Sequence, residues 1–160
     1  MTRIQLSREH LRIDGASLAD EQARAVPLAG FAEILGPPSR VTERTSEIST
    51  WDDRGLCLHR DLSSDDTLSL TVALGRSERG QDFHPRSLLS GVIEIEGRRL
   101  EKSWGAAQLE AAGFICNPIL NYLWGKALGA YDLTLETGGA ASEISTVSIG
   151  FAGDRTIELR

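Results

Sequence analysis

Cys57 and His59 are the one pair in the chain whose types and spacing could support nucleophilic chemistry. They stand two residues apart in the apolar run Leu56-Cys-Leu-His-Arg60, which reads as a strand, so both side chains leave the same face. A thiol beside an imidazole is the beginning of a dyad in which the ring takes the proton and the thiolate attacks. A working dyad also needs a group that orients the base, and none is evident near His59. Same-face neighbours arise in any strand, and a cysteine inside an apolar run is ordinarily a buried, reduced thiol. The other two of the three histidines, His10 and His84, fall near the N-terminus and before Pro85 in a loop. No catalytic residue is expected, and the chain reads as a protein without enzymatic activity.

Clustered carboxylates are the other potential source of chemistry. Asp52-Asp53 and Asp65-Asp66 could offer oxygen ligands, but neither pair belongs to a loop of alternating acids closed by a glutamate, as calcium sites require. Turn formation explains both, in Asp52-Asp-Arg-Gly55 and in Asp61-Leu-Ser-Ser-Asp-Asp66. The two cysteines, Cys57 and Cys116, lack metal-site spacing and are too few for a disulfide framework. Gly138-Gly139 lacks the spacing of a phosphate-binding loop. Neither a metal nor a cofactor is expected. The acids instead suggest contact points: Asp52, Asp53, Asp65, Asp66, Glu78 and Asp82 are the candidate partner-binding residues.

Composition narrows the partner. With 41% hydrophobic and 25% charged residues, the 160-residue chain is typical of a globular protein and long enough to bury a core without staples. A net charge of −6 and a pI near 5.1 argue against nucleic acid or an anionic membrane, and suit a basic protein partner. Aromatic residues make up only 6%, too few for stacking interleaved with basic groups. The N-terminal stretch has no apolar core of signal-peptide length, and no apolar run is long enough for a transmembrane helix, so a cytoplasmic location is expected.

The elements that carry these residues occur twice. Leu11-Arg-Ile-Asp-Gly15 returns 82 positions on as Ile93-Glu-Ile-Glu-Gly97, and Thr71-Val-Ala-Leu-Gly75 returns 75 positions on as Thr146-Val-Ser-Ile-Gly150. Leu28, Phe31, Ile34 and Leu35 share one helical face, ended by Gly36 and Pro37-Pro38. A second helix is expected over residues 100–112, opening near Trp104 and stopped by Gly113. Strands are expected at Val41 to Trp51, Leu56 to Arg60, Leu68 to Leu74, Val92 to Glu96, Tyr131 to Glu136 and Ser145 to Phe151, with a short one at Thr156 to Leu159. Phe114 to Tyr122, interrupted by Asn117-Pro118, fits neither period. Trp51 and Trp124 hold comparable places and are expected to pack within each half. The fold class is therefore α+β: two tandem repeats, each a short helix on an antiparallel sheet with an open, solvent-facing surface. Residues 1–75 form the first repeat, 76–91 the connection and 92–160 the second, in one compact unit.

The run Phe31-Ala-Glu-Ile-Leu-Gly-Pro-Pro-Ser-Arg40, followed by Ile48-Ser-Thr-Trp51-Asp-Asp-Arg-Gly55, resembles the helix–turn–strand signature of BamE-like modules. The β-lactamase inhibitory protein family joins two such modules in tandem. The chain also resembles a bacterial family with a Trp-Asp-Asp-x-Gly turn and a Phe-x-Pro segment, here Phe83-His-Pro85, leading into Ile93-Glu-Ile-Glu-Gly97. The resemblance implies a scaffold that grips another protein. With the acidic charge and the want of a catalytic group, it suggests a bacterial immunity protein that neutralises a toxin by direct binding. The alternative is a small-molecule or peptide-binding module that uses the open sheet face.

Overall fold

The computed structural model describes residues 1–64, 66–76, 84–138 and 143–152. Its first half carries β1 (Thr2–Leu6), β2 (Leu11–Ile13), β3 (Ala16–Ser17), α1 (Leu28–Leu35), β4 (Arg40–Glu43), β5 (Ser46–Trp51), β6 (Leu56–Asp61) and β7 (Thr67–Ala73). The second carries β8 (Gly91–Ile95), β9 (Arg98–Arg99), α2 (Ala106–Ala111), β10 (Ile115–Cys116), β11 (Leu123–Leu128), β12 (Tyr131–Gly138) and β13 (Glu143–Gly150). They form two sheets, a five-stranded one ordered β3-β2-β1-β8-β9 and an eight-stranded one ordered β10-β11-β12-β13-β7-β6-β5-β4.

The five-stranded sheet is built around β1. Ile4 lies opposite Ile13 on the antiparallel β2 and opposite Ile93 on the parallel β8, and these three side chains are buried together. The β2–β3 hairpin turns on Asp14 and Gly15 (φ 49° and 85°), and the β8–β9 hairpin on Glu96 and Gly97 (φ 52° and 77°). Two successive positive φ angles give the turn whose twist matches that of paired strands. The repeated acid–glycine pair is thus the same turn made twice. Where β1 meets β8, Thr2 faces Gly91, and a Cβ at Gly91 would lie 1.8 Å from the Thr2 carbonyl oxygen. Only glycine permits that approach.

The eight-stranded sheet is continuous across the two halves because β7 pairs with β13. Its inward face contains a row that reads the same from either end: Trp51, Leu56, Val72, Val147, Leu135, Trp124. All six are buried in one hydrophobic cluster that also takes in Ile4, Leu6, Leu11, Ile13, Ile93 and Ile95 from the other sheet. Phe31 and Leu35 of α1 and Leu109 of α2 complete it. Each helix end is closed by a donor from the large sheet. The Trp51 indole N–H donates to the Gly36 carbonyl (2.9 Å), and the Lys126 ammonium to the Ala112 carbonyl (2.7 Å).

The α+β class describes this chain, with strands predominating and two short helices among the described residues. The expected layout of one helix on one antiparallel sheet in each half differs from what is observed. Both sheets draw strands from both halves, and the smaller is mixed because β1 is parallel to β8. The second helix is confined to Ala106–Ala111, since Leu100 belongs to the preceding hairpin: its N–H donates to the Ile93 carbonyl. Trp104 precedes the helix. The Val41 to Trp51 stretch divides into β4 and β5. The short strand expected at Thr156 to Leu159 lies outside the described residues. No helix among the described residues is long and apolar enough to cross a membrane.

Candidate interaction site

Asp52 is held within the fold. Its carboxylate takes two hydrogen bonds from the Arg40 guanidinium (3.0 and 3.2 Å) and one from the Arg86 backbone N–H (2.9 Å). The Arg40 hydrogen bonds, aided by that of Arg86 and opposed by partial burial, keep its pKa below the usual carboxylate range. Arg40 also donates to the His84 carbonyl (2.8 Å), so Asp52 and Arg40 together fasten the segment that leads into β8. Asp53 is exposed and Asp66 half-buried. Their turns flank opposite ends of β6, a strand of about 20 Å at its rise per residue, so the two are not one patch. Asp65, Glu78 and Asp82 lie outside the described residues, as does Phe83.

Cys57 and His59 do share a face, the outer one of the large sheet. There a row runs Arg40, Thr50, Cys57, Thr71, Ser148, Thr134. The Cys57 sulfur lies 3.8 Å from His59 Nε2. Burial pushes the thiol up to about 12, against a smaller opposing effect of the Thr71 hydroxyl, and burial lowers the His59 ring. Both shifts favour neutral forms, opposite to the thiolate–imidazolium pair that a cysteine nucleophile uses. Near neutral pH this is a packed thiol beside a packed imidazole. Among the described residues, no three His, Cys, Asp or Glu side chains are placed to hold a metal ion.

The surface that stands out lies in the segment that fits no sequence period. Ile115, Ile119 and Leu120 are 77%, 87% and 41% exposed. The turn that presents the last two is braced: the Asn117 side-chain oxygen accepts the N–H groups of Ile119 and Leu120, both at 2.9 Å, and the Asn117 N–H donates to the Leu123 carbonyl. Cys116 adds a contact to the Asn121 carbonyl (3.4 Å). The result is an apolar ledge on a tied-down loop beside β10, one of the two edge strands of the large sheet. The signal in the sequence was an Asn-Pro turn start followed at once by apolar residues where a turn favours polar ones. On the inner side of the same edge, a cavity of about 220 Å³ opens between α2, β9 and β11.

Residues 3–105 match the model of a family described as a domain of unknown function, DUF7738. The match takes in the five-stranded sheet except Thr2 at the start of β1, together with α1 and β4 to β7, and ends at Gly105, just before α2. No curated protein and no solved structure matches the chain.

Proposed function

The chain belongs to the DUF7738 family, and from that premise we propose a non-enzymatic protein-binding module. Its most specific form is a bacterial immunity protein that neutralises a cognate toxin by direct binding. The observation that carries this reading is the braced ledge of Ile115, Ile119 and Leu120. Burying a side chain of this kind is worth roughly 1.5–3 kcal/mol, and this fold holds Ile119 and Leu120 out of its core on a hydrogen-bonded loop and Ile115 on the edge strand that precedes it. A partner that covers them gains that burial with little ordering cost, because the loop is already fixed. The acidic surface, with Asp53 and Asp66 on it, speeds encounter with a basic toxin. The neutral Cys57/His59 pair supports the same reading from the other side.

The scaffold is read as a duplicated module of the BamE-like kind. Val72 and Val147 are opposed at the centre of the large sheet and stand at the offset of the repeated Thr-Val segment. In the small sheet, Gln5 lies between Arg12 and Glu94, which stand at the offset of the other repeated segment. Two copies facing each other across these points, with β1 inserted on the axis of the smaller sheet, account for both registers.

The test is co-expression with the product of an adjacent toxin-like gene, which is expected to give a tight 1:1 complex. Ile119→Asp and Leu120→Asp are each expected to weaken that complex tenfold or more while changing stability by no more than about 0.5 kcal/mol, as exposed positions do. Undiminished affinity in the double variant would remove the ledge from the interface. Failure to bind any neighbouring gene product would overturn the immunity reading.

A further inference from the structure

The cavity at the end of α2 is built differently from its counterpart in the first half. There the helix end is closed by Trp51, a buried side chain whose indole N–H donates to the Gly36 carbonyl. Here the closing group is Lys126, a thin chain two residues beyond Trp124, and about 220 Å³ remains open beside it. That volume lies between the ~150 Å³ of a cavity that holds one benzene ring and the ~300 Å³ at which drug-sized sites begin.

The walls point to a ligand chemistry. Leu100, Ala111 and Phe114 supply an apolar lining. The Arg98 guanidinium lies over the Trp104 ring, 4.8 Å from its centroid, and makes no ion pair among the described residues. Its neighbour Arg99, by contrast, is matched to Glu101 at 3.2 Å. Stacking on an indole holds a guanidinium in place without using its hydrogen-bonding fork, so Arg98 is aligned for a carboxylate. Lys126 is occupied by the Ala112 carbonyl and by Glu96 at 3.3 Å, and Glu96 is also shared with Arg8 at 3.8 Å. The one carboxylate at the rim is therefore already neutralised, which leaves a cationic mouth on a chain of net charge −6.

We propose that this cavity binds a small apolar carboxylate, one ring or branched chain carrying a single anionic group, with the carboxylate on Arg98 and the apolar part against Leu100, Ala111 and Phe114. The proposal does not depend on whether the ledge binds a protein. It is tested by following the Trp104 indole N–H resonance, assigned by its loss in Trp104→Phe, during titration with phenylacetate, phenylacetamide and acetate. Phenylacetate is expected to shift it saturably with a Kd on the order of 1 mM, as suits a fragment. Phenylacetamide is expected to bind at least tenfold more weakly, and acetate to leave the signal unmoved. Arg98→Gln should bring phenylacetate down to the level of its amide. Ala111→Phe, which fills the cavity from an exposed helical position, should abolish binding of both without lowering Tm, and it decides the matter if Arg98→Gln fails to fold. N-acetylphenylalanine separates the sources: tighter binding than phenylacetate assigns the site to a chain terminus of a partner, weaker binding to a free acid. Equal affinity for phenylacetate and phenylacetamide, or a phenylacetate shift that survives in Ala111→Phe, overturns the proposal.

Discussion

A thiol reacts as its thiolate, so burial that pushes Cys57 up to about 12 leaves very little of the reactive form near neutral pH. At pH 8 the thiolate fraction is about a thousandfold below that of an ordinary exposed cysteine. Cys116 is only partly buried, and its sulfur contacts two backbone carbonyls rather than a packed core. An aromatic disulfide reagent added to the native protein is therefore expected to titrate one thiol quickly, with the second released only on unfolding in guanidinium. Peptide mapping should place the fast label on Cys116. Two thiols reacting at similar native rates would mean that Cys57 is far more accessible than its position on β6 implies, and would reopen the dyad.

Between single residues and the fold, the central pairing of β7 with β13 decides how the two halves meet. Val72 and Val147 are opposed there, each between a leucine and the other, with the tryptophans beyond. Val72→Ala and Val147→Ala are each expected to cost about 1–2.5 kcal/mol, below the Leu→Ala range because less volume is lost. In the double variant the losses should depart from additivity by 0.5 kcal/mol or more, since the two side chains line one space. Chemical denaturation of the four proteins measures this, and strict additivity would show that the pair does not share a packing site. β7 was also the most legible element in the sequence, because strict alternation of Leu70 and Val72 with Ser69 and Thr71 leaves one assignment open. β11 was not, because Lys126 points toward the core side to close α2 and so breaks the apolar period. The overlong second helix has a similar cause: Leu100 carries a helix-compatible spacing but spends its N–H on Ile93. The candidate site shows the same limit. A turn at Asp52 could be read from Asp-Asp-Arg-Gly, whereas its commitment to Arg40 is a tertiary fact. The exposure of Ile119 and Leu120 depends on how the edge of the sheet is finished, which local pattern does not encode.

For the molecule as a whole, the sheets make the two halves interdependent. β1 from the first half lies between β2 and β8, and β7 finds its second neighbour only in β13. A fragment of residues 1–80 would leave β1 and β7 as edges with unpaired backbone groups, and would expose the inward faces of both sheets to water. A fragment of residues 81–160 would hold β8 and β9 as an isolated hairpin, which is marginal at best without a third strand. Neither fragment is therefore expected to unfold cooperatively alone. Mixed together they should recover the native circular dichroism and a single unfolding transition. Its midpoint should rise with concentration, because severing the connection makes the assembly bimolecular. A sharp, concentration-independent transition in either fragment alone would show instead that a half is a self-sufficient domain, and would break the argument that the broad sheet exists only when both copies share it. The ledge and the cavity both sit at the far edge of that shared sheet. Recovery of toxin binding or phenylacetate binding on mixing would therefore follow the sheet's assembly and not the presence of the second half alone.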